Sequence, residues 1–428
     1  MSKFQPSISN VHFENGQVIF TLSGTETYGL DKSFVNAIRR TLLTDIPSVA
    51  FRTDENKEKD ITINTNTGSL HNELLLQRIG LLPLYINPDN YTKNYLFKLS
   101  VKHDTTKPFK FVTAEDFQIY PLLPEVLKKI RNFKESERDD LEKLLTTNVY
   151  QNYDYNKPLS DKEKEKIFRP FYFEKNKSKN YCLITELKNT NTDEYVEELD
   201  LYGIPSLSTA EENSRHQAVS CATYSYVKDD KLISKLWSDM VKKNDYTKEE
   251  EEKEYKKFIL ENSERYYHRD FNNEPYKYNF HIKSCHYKTE IELFINAINI
   301  IIEKLDNLKE NFISLLKDKD SNIRVEKKNE ILYHLYINNE GHTIGNLLQS
   351  HIVRRSIDKD SILSFCGYKK IHPLENIIKL IVSINPEHKI MKDTEQNKYQ
   401  KTIGFIMDQI DLIKEDFKIL KKECEKSF

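Results

Sequence analysis

Apolar residues recur at helical spacing in two segments of this chain that align without a gap. Residues 298–315 (INIIIEKLDNLKENFISL) place Ile298, Ile301, Leu305, Leu308, Phe312 and Leu315 at steps of three and four. Residues 403–420 (IGFIMDQIDLIKEDFKIL) repeat the pattern with Ile403, Ile406, Ile410, Ile413, Phe417 and Leu420. Each set forms one stripe along a helix, the seam by which that helix packs on another. Seven of the 18 aligned positions are identical, and they include the polar pairs Asp306/Asp411, Lys309/Lys414 and Glu310/Glu415. A shared heptad explains the apolar matches but not the polar ones. The pattern predicts a duplicated unit.

A second pair of segments supports the duplication and locates extra chain. Residues 33–43 (SFVNAIRRTLL) match residues 343–353 (TIGNLLQSHIV), each with a hydroxyl residue able to cap a helix three positions before an Asn. Apolar residues follow every four, at Phe34, Ile38 and Leu42 in one and at Ile344, Leu348 and Ile352 in the other. The offset is 310 here and 105 at the long helix, a difference of 205 residues. One copy is therefore compact, and the other is expected to be split by an inserted domain.

The rest of the pattern fills in each copy. Residues 11–22 alternate around Asn15-Gly16, a strong hairpin signal, and a helix is expected over 32–45 with a strand at 48–51. Strand-like runs lie at 97–103, 180–187, 218–227 and 278–282, with a charged helical stretch at 125–145. In the second copy, strands are expected at 331–337, 361–366 and 377–384, around a helix at 343–355 and before a closing helix from 394. The expected class is α+β. Two dimerisation-type domains, 1–51 plus 214–316 and 322–428, would flank a β-rich inserted domain at 52–213 and a linker at 317–321. Five linker residues span at most about 18 Å, which holds the copies close. The matched stripes would then close on each other.

Composition narrows the function by exclusion. Sixty-five basic residues balance 67 acidic ones, which argues against a large nucleic-acid or anionic-membrane surface. The mixed-sign run 245–258 reads as a solvated helix or loop. The aromatic-rich run 264–280 has little net charge, so packing suits it better than base stacking. Five scattered cysteines (Cys182, Cys221, Cys285, Cys366, Cys424) form no C-x-x-C pair, so neither a disulfide framework nor a zinc ribbon is indicated. His281 and Cys285 are four apart but would not face one site on a strand, and His342, His351, His372 and His388 fit no ligand spacing. Phosphate-binding loops, nucleophile elbows, H-E-x-x-H and D-x-D-x-D clusters are absent from the sequence. No apolar signal core or membrane-length stretch occurs. The expectation is a soluble, intracellular, non-catalytic protein with no cofactor or metal of its own.

Longer motifs carry a resemblance. Residues 34–43 (FVNAIRRTLL) with 45–50 (DIPSVA), and residues 65–84 (TNTGSLHNELLLQRIGLLPL), resemble the alpha-type subunits of cellular RNA polymerases. Those include bacterial alpha, its archaeal counterpart and the third-largest subunit of eukaryotic RNA polymerase II. A weaker match resumes at residues 216–218. Residues 339–348 (NEGHTIGNLL) and 365–375 (FCGYKKIHPLE) resemble the smaller partner of that subunit, the eleventh of polymerase II and its archaeal equivalent. The resemblance covers about 10–102, 214–222 and 276–424.

The resemblance implies a non-catalytic platform on which the largest and second-largest polymerase subunits assemble, with small zinc-bearing subunits alongside. Magnesium and zinc would sit in those partners, and direct nucleic-acid contact would be slight. The pseudo-dimer interface would use Phe34, Ile38, Leu42, Ile298, Ile301, Leu305, Leu308, Phe312, Ile344, Leu348, Ile352, Ile406, Ile410, Ile413 and Phe417. Partner contacts would fall on Arg39, Arg40, Arg78, Gly80, Leu82 and Pro83 in the first copy, and on Gly367, Tyr368, His372 and Pro373 in the second. Many relatives carry a cysteine cluster in the insert, and here only Cys182 and Cys221 lie in that region. Two partners in one chain, with a Lys-, Asn- and Ile-rich composition, suggest a large DNA virus of eukaryotes, placing the protein in host cytoplasm or nucleus and in the virion. The rival readings are an adaptor of the same fold outside polymerase and an enzyme housed in the insert.

Overall fold

A computed structural model describes residues 4–27, 29–53, 59–104, 107–132, 149–172, 178–189, 196–244, 246–262, 265–317, 319–356 and 361–428. The chain divides into two compact units. One holds Met1–Leu43, Cys221–Lys283 and Glu290–Phe428; the other holds Thr44–Ser220 and Ser284–Thr289.

The first unit contains two four-stranded antiparallel sheets. The first sheet is built from β1 (Ser7–Glu14), β2 (Gln17–Ser23), β3 (Val219–Tyr226) and β4 (Lys277–Ser284), in the order β1-β2-β4-β3. The second uses β5 (Ile323–Lys327), β6 (Leu332–Asn338), β7 (Leu363–Lys370) and β8 (Ile377–Ile384), in the order β5-β6-β8-β7. The two orders are the same once elements are matched. The β1–β2 turn is Asn15-Gly16 with φ of 51° and 70°, which the twist of a two-residue hairpin requires and which Gly adopts without strain. Alternate residues of β4 (Tyr278, Phe280, Ile282) and β8 (Ile378, Leu380, Val382, Ile384) are buried, so one face of each sheet meets the core. Phe20 stacks on Phe280 at 5.4 Å and meets Phe294 edge-on at 5.1 Å.

The helices of this unit are α1 (Lys32–Thr44), α2 (Asp230–Lys243), α3 (Lys248–Asn262), α4 (Glu290–Leu316), α5 (His342–Ser356) and α6 (Glu395–Ser427). α1 and α5 follow the two hairpins, and α4 and α6 close the two copies. The extra chain of the first copy is not one insertion but two. The segments 45–218 and 227–276 stand where the second copy has only 357–362 and 371–376. The second insertion carries α2 and α3, which meet through Trp237 against Tyr255 at 5.1 Å and Phe258 at 5.5 Å. α3 is the charged segment, and Glu250 accepts the Thr247 backbone N–H and hydroxyl at its start. The aromatic run pairs Tyr267 with Lys228 and Arg269 with Pro275 before entering β4.

The second unit is β-rich. Its main sheet orders strands Ile61–Asn66, Glu198–Gly203, Tyr95–Lys102 and Gln118–Pro121. Two short antiparallel pairs join Phe109–Thr113 to Leu183–Lys188 and Ser48–Ala50 to Ser206–Ser208. The expected strand over 180–187 is broken, with Lys179–Asn180 pairing separately. Rings of Phe51, Phe97, Phe117 and Phe168 meet at 5.2–6.4 Å and fill the core, against Leu75, Leu76 and Ile79 of helix Asn72–Gly80. Of the helical stretch expected at 125–145, Pro124–Asn132 is helical and the rest lies outside the described residues.

Candidate functional site

The two long helices of the first unit pack on each other. Ile298, Ile301, Leu305, Leu308 and Phe312 of α4 are buried, as are Ile406, Ile410, Ile413 and Phe417 of α6. Each such side chain contributes roughly 1.5–3 kcal/mol on leaving water. Phe34, Ile38 and Leu42 of α1 and Ile344, Leu348 and Ile352 of α5 are buried too. Phe34 stacks on Phe417 with ring centroids 3.8 Å apart, which joins α1 of one copy to the closing helix of the other.

Along the flank of the helix pair, Lys309 Nζ reaches Asp411 at 2.5 Å and Lys414 Nζ reaches Asp306 at 2.6 Å. These are the polar positions that the two helices share. Each lysine meets the aspartate of the other helix, so position one meets position two in both directions, the mark of a two-fold related contact. The carboxyl of Asp411 is held below its ordinary range by Lys309 and Lys414, which outweigh the opposing effect of its partial burial. α1 and α5 also meet, with Arg40 Nε donating to Thr343 Oγ1 at 2.9 Å and Ser350 Oγ bonding Asp31.

The residues expected at partner surfaces divide. Arg40 and Arg78 are exposed. Arg78 Nη2 also donates to the Leu183 carbonyl at 3.0 Å. Arg39 is half-buried, donates to Asn36 Oδ1 at 2.9 Å, and borders a hollow with Thr223, Tyr224, Ser225 and Tyr226. Gly80 and Leu82 are corrected to the interior. Leu82 lies in the core of the second unit, and a Cβ on Gly80 would stand 2.8 Å from Arg215 Nη1 and 2.9 Å from Thr53 Oγ1. Pro83 is half-buried. The exposed apolar groups here are Leu74 and Leu81, 49% and 71% accessible. Leu74, Arg78 and Leu81 follow at steps of four and three, the spacing of one helix face, and that spacing was the available signal.

In the second copy Gly367 is half-buried, and Tyr368 is also turned inward more than expected. Its ring covers Gly345, where a Cβ would stand 2.5 Å from Tyr368 Cδ2, and its hydroxyl lies 3.3 Å from His342 Nδ1. A side chain on Gly345 would evict this ring. His372 and Pro373 are exposed, between Ile371 and a 90% accessible Leu374.

Two buried histidines bond backbone carbonyls within the second unit: His216, in the weakly matching stretch 216–218, and His286, which no motif marks out. His286 Nδ1 accepts the Lys288 backbone N–H at 3.1 Å, so Nε2 carries the proton and donates to the Pro47 carbonyl at 3.1 Å. His216 Nδ1 donates to the neighbouring Ser48 carbonyl at 2.9 Å. Burial of the ring pushes His286 down to about 4, and burial also lowers His216.

A family model described as the RNA polymerase Rpb3/Rpb11 dimerisation domain matches residues 26–305, well over half of the chain. The chain belongs to the Rpb3/Rpb11 dimerisation-domain family. A second model of the same description matches residues 333–425, so each copy carries its own Rpb3/Rpb11 match. Among relatives, the DNA-directed RNA polymerases I and III subunit rpac1 of Dictyostelium discoideum is 35% identical over 97 residues, 23% of each chain. The DNA-directed RNA polymerase subunit Rpo3 of Methanosphaera stadtmanae is 35% identical over 63 residues, 15% of this chain and 21% of the relative. Rpo3 of Methanobrevibacter smithii is 28% identical over 122 residues, 26% of this chain and 41% of the relative. The aligned parts thus span less than half the length of each of these relatives. Among the described residues no group of three His, Cys, Asp or Glu side chains could hold a metal ion, and no helix is long and apolar enough to cross a membrane.

Proposed function

We propose that this chain is a non-catalytic assembly-platform subunit of a multisubunit DNA-directed RNA polymerase. Its two Rpb3/Rpb11 domains would close on each other as an intramolecular pseudo-dimer, the first split by the β-rich unit. The observation that carries the pairing is the reciprocal Lys309–Asp411 and Lys414–Asp306 contact flanking buried stripes. The polymerase assignment is supported by the two family matches and the printed names of the relatives. The first copy would hold the second-largest subunit and the second copy the largest, with small zinc-bearing subunits nearby. Magnesium and zinc would belong to those partners.

Two exposed apolar surfaces suit such docking: Leu74, Arg78 and Leu81 on the second unit, and Ile371 with Leu374 on the β7–β8 loop. The composition and the single-chain arrangement favour a large DNA virus as source. The test is recovery of an affinity-tagged chain from the cells or particles that contain it, with mass spectrometry of what accompanies it. Both large polymerase subunits should come along in equal amounts. Recovery of the chain without either would sink the platform reading. Nucleotide incorporation by the chain alone would sink its non-catalytic part.

A further inference from the structure

The shared Lys/Asp pairs cannot decide which copy pairs with which, because both copies carry the same residues. Two first copies, or two second copies, could form them equally well. Selectivity has to come from contacts that the duplication does not repeat. One cluster between the copies has this property.

Arg354 of α5 lies between two carboxylates of the first copy. Its Nη2 is 2.8 Å from Asp270 and its Nη1 is 3.2 Å from Asp31. Asp270 comes from the second insertion, which the second copy lacks, and its side chain is 1% accessible. Its Oδ1 accepts the backbone N–H groups of Asn272 and Glu274, so a turn holds the carboxylate in place. Gly29 makes room for it: a Cβ there would stand 2.7 Å from Asp270 Oδ2.

The 310-residue offset shows what stands at matching positions. Arg354 corresponds to Thr44, Asp31 to Gly341 and Ser350 to Arg40. A pairing of two second copies would bring Arg354 against Gly341, with neither carboxylate present. A pairing of two first copies would bring Arg40 to Asp31 in place of Ser350. It would also place Thr44 where Arg354 meets Asp270, and the buried carboxylate would lose that cation. A buried charge stripped of its partner is heavily penalised, and such penalties select partners by excluding the wrong ones.

We propose that Arg354, held by Asp270 and Asp31, is the specificity determinant that makes a first copy pair with a second copy and not with its own kind. This rests on the pairing proposed above. It is independent of which large subunits the chain holds.

The test uses the full chain with a protease site at 317–321, cut after folding. The nicked protein is taken through mild denaturant and back, and native mass spectrometry counts first·second, first·first and second·second pairs. Wild type should return first·second pairs almost alone. Arg354→Thr should cut their excess about tenfold. Asp270→Asn, which keeps an oxygen for the turn while removing the charge, should move the ratio in the same direction. Asp306→Asn, in the shared pairs, removes two such contacts from a first·first pair, one from a first·second pair and none from a second·second pair, so the exchange ratio of mixed against like pairs should stay unchanged. A statistical mixture from wild type, or an unchanged ratio in both Arg354→Thr and Asp270→Asn, would overturn the proposal. Halves that separate as monomers would overturn the pairing itself and this proposal with it.

Discussion

The two copies in the first unit share a sheet order and a helical seam but differ in what their loops carry. In the second copy, α5 leads to β7 and β7 to β8 through a few residues each. In the first, the same two connections hold a whole β-rich unit and the α2–α3 pair. Insertions fall where backbone crosses the surface and few core contacts are disturbed. The buried residues stay matched: Phe34 with Ile344, Ile38 with Leu348, Leu42 with Ile352, Phe312 with Phe417. The two copies thus keep matched buried positions while their connections differ.

If both helices build the seam, truncating it should hurt from either side. Phe312→Ala and Phe417→Ala should each destabilise the first unit by about 3–5 kcal/mol, the usual range for emptying a buried phenylalanine site. Phe417→Ala should be the costlier, because it also removes the ring stacked on Phe34. Urea unfolding followed by circular dichroism measures both. A loss under about 1 kcal/mol for either would place that ring outside the seam.

Acid should break the comparison by reaching the second unit before the seam. His286 titrates near 4 when folded against 6.5 as an ordinary histidine, because burial of the ring disfavours its charged form by more than the Pro47 carbonyl favours it. The folded state therefore binds the proton less well than the unfolded one. Its contribution is complete above pH 6.5 and is lost as pH falls from there toward 4. The loss is about 3 kcal/mol for a shift of this size, and the lowered His216 acts in the same direction. Hydrogen exchange compared at neutral pH and at a pH just above the folded value of His286 should show amides of Ser48–Ala50 and Ser206–Ser208 losing protection before those of α4 and α6. His286→Gln should flatten the pH dependence.

Local pattern carried the elements that periodicity or turn chemistry specify: the Asn15-Gly16 hairpin, the α4 and α6 stripes, and the alternation of β8. Residues 230–243, for which periodicity suggested no element, are helical, although Asp229 capping Leu232 and the four-step from Ile233 to Trp237 were available signals. The candidate surface was less legible. Leu81 and Leu82 are neighbours of equal hydrophobicity, and only tertiary packing puts one outside and the other in the core. Tyr368 has the chemistry of a docking aromatic, but Gly345 provides it a seat in its own copy. Asp306 and Lys309 stand in the sequence only as shared polar positions, because their partners lie about a hundred residues away, on the other helix.

The reciprocal ion pairs offer a finer measure of the symmetry. Double-mutant cycles on Lys309/Asp411 and Lys414/Asp306 should give coupling energies of about 0.5–1 kcal/mol each, modest because all four groups keep some solvent. The two values should agree within about 0.5 kcal/mol and shrink together in high salt. Unequal values, one near zero, would mean that the two-fold relation fails along this flank.

The smallest effect on stability is expected where the copies differ most in structure. Leu81 is largely exposed at the end of helix Asn72–Gly80, on the unit that the second copy lacks. Leu81→Asp removes no buried contact within the chain, so unfolding should shift by no more than about 0.5 kcal/mol. A charge placed in an apolar docking patch must lose its water when a partner closes over it, and that cost falls on the complex alone. Recovery of the second-largest polymerase subunit with the tagged variant should therefore fall at least about tenfold while the isolated chain melts as before. Leu374→Asp on the β7–β8 loop should leave that subunit in place and reduce recovery of the largest one. If both variants fold normally and recover the whole assembly at wild-type yield, these two patches are not where the large subunits dock, and the difference between the copies serves something other than partner choice.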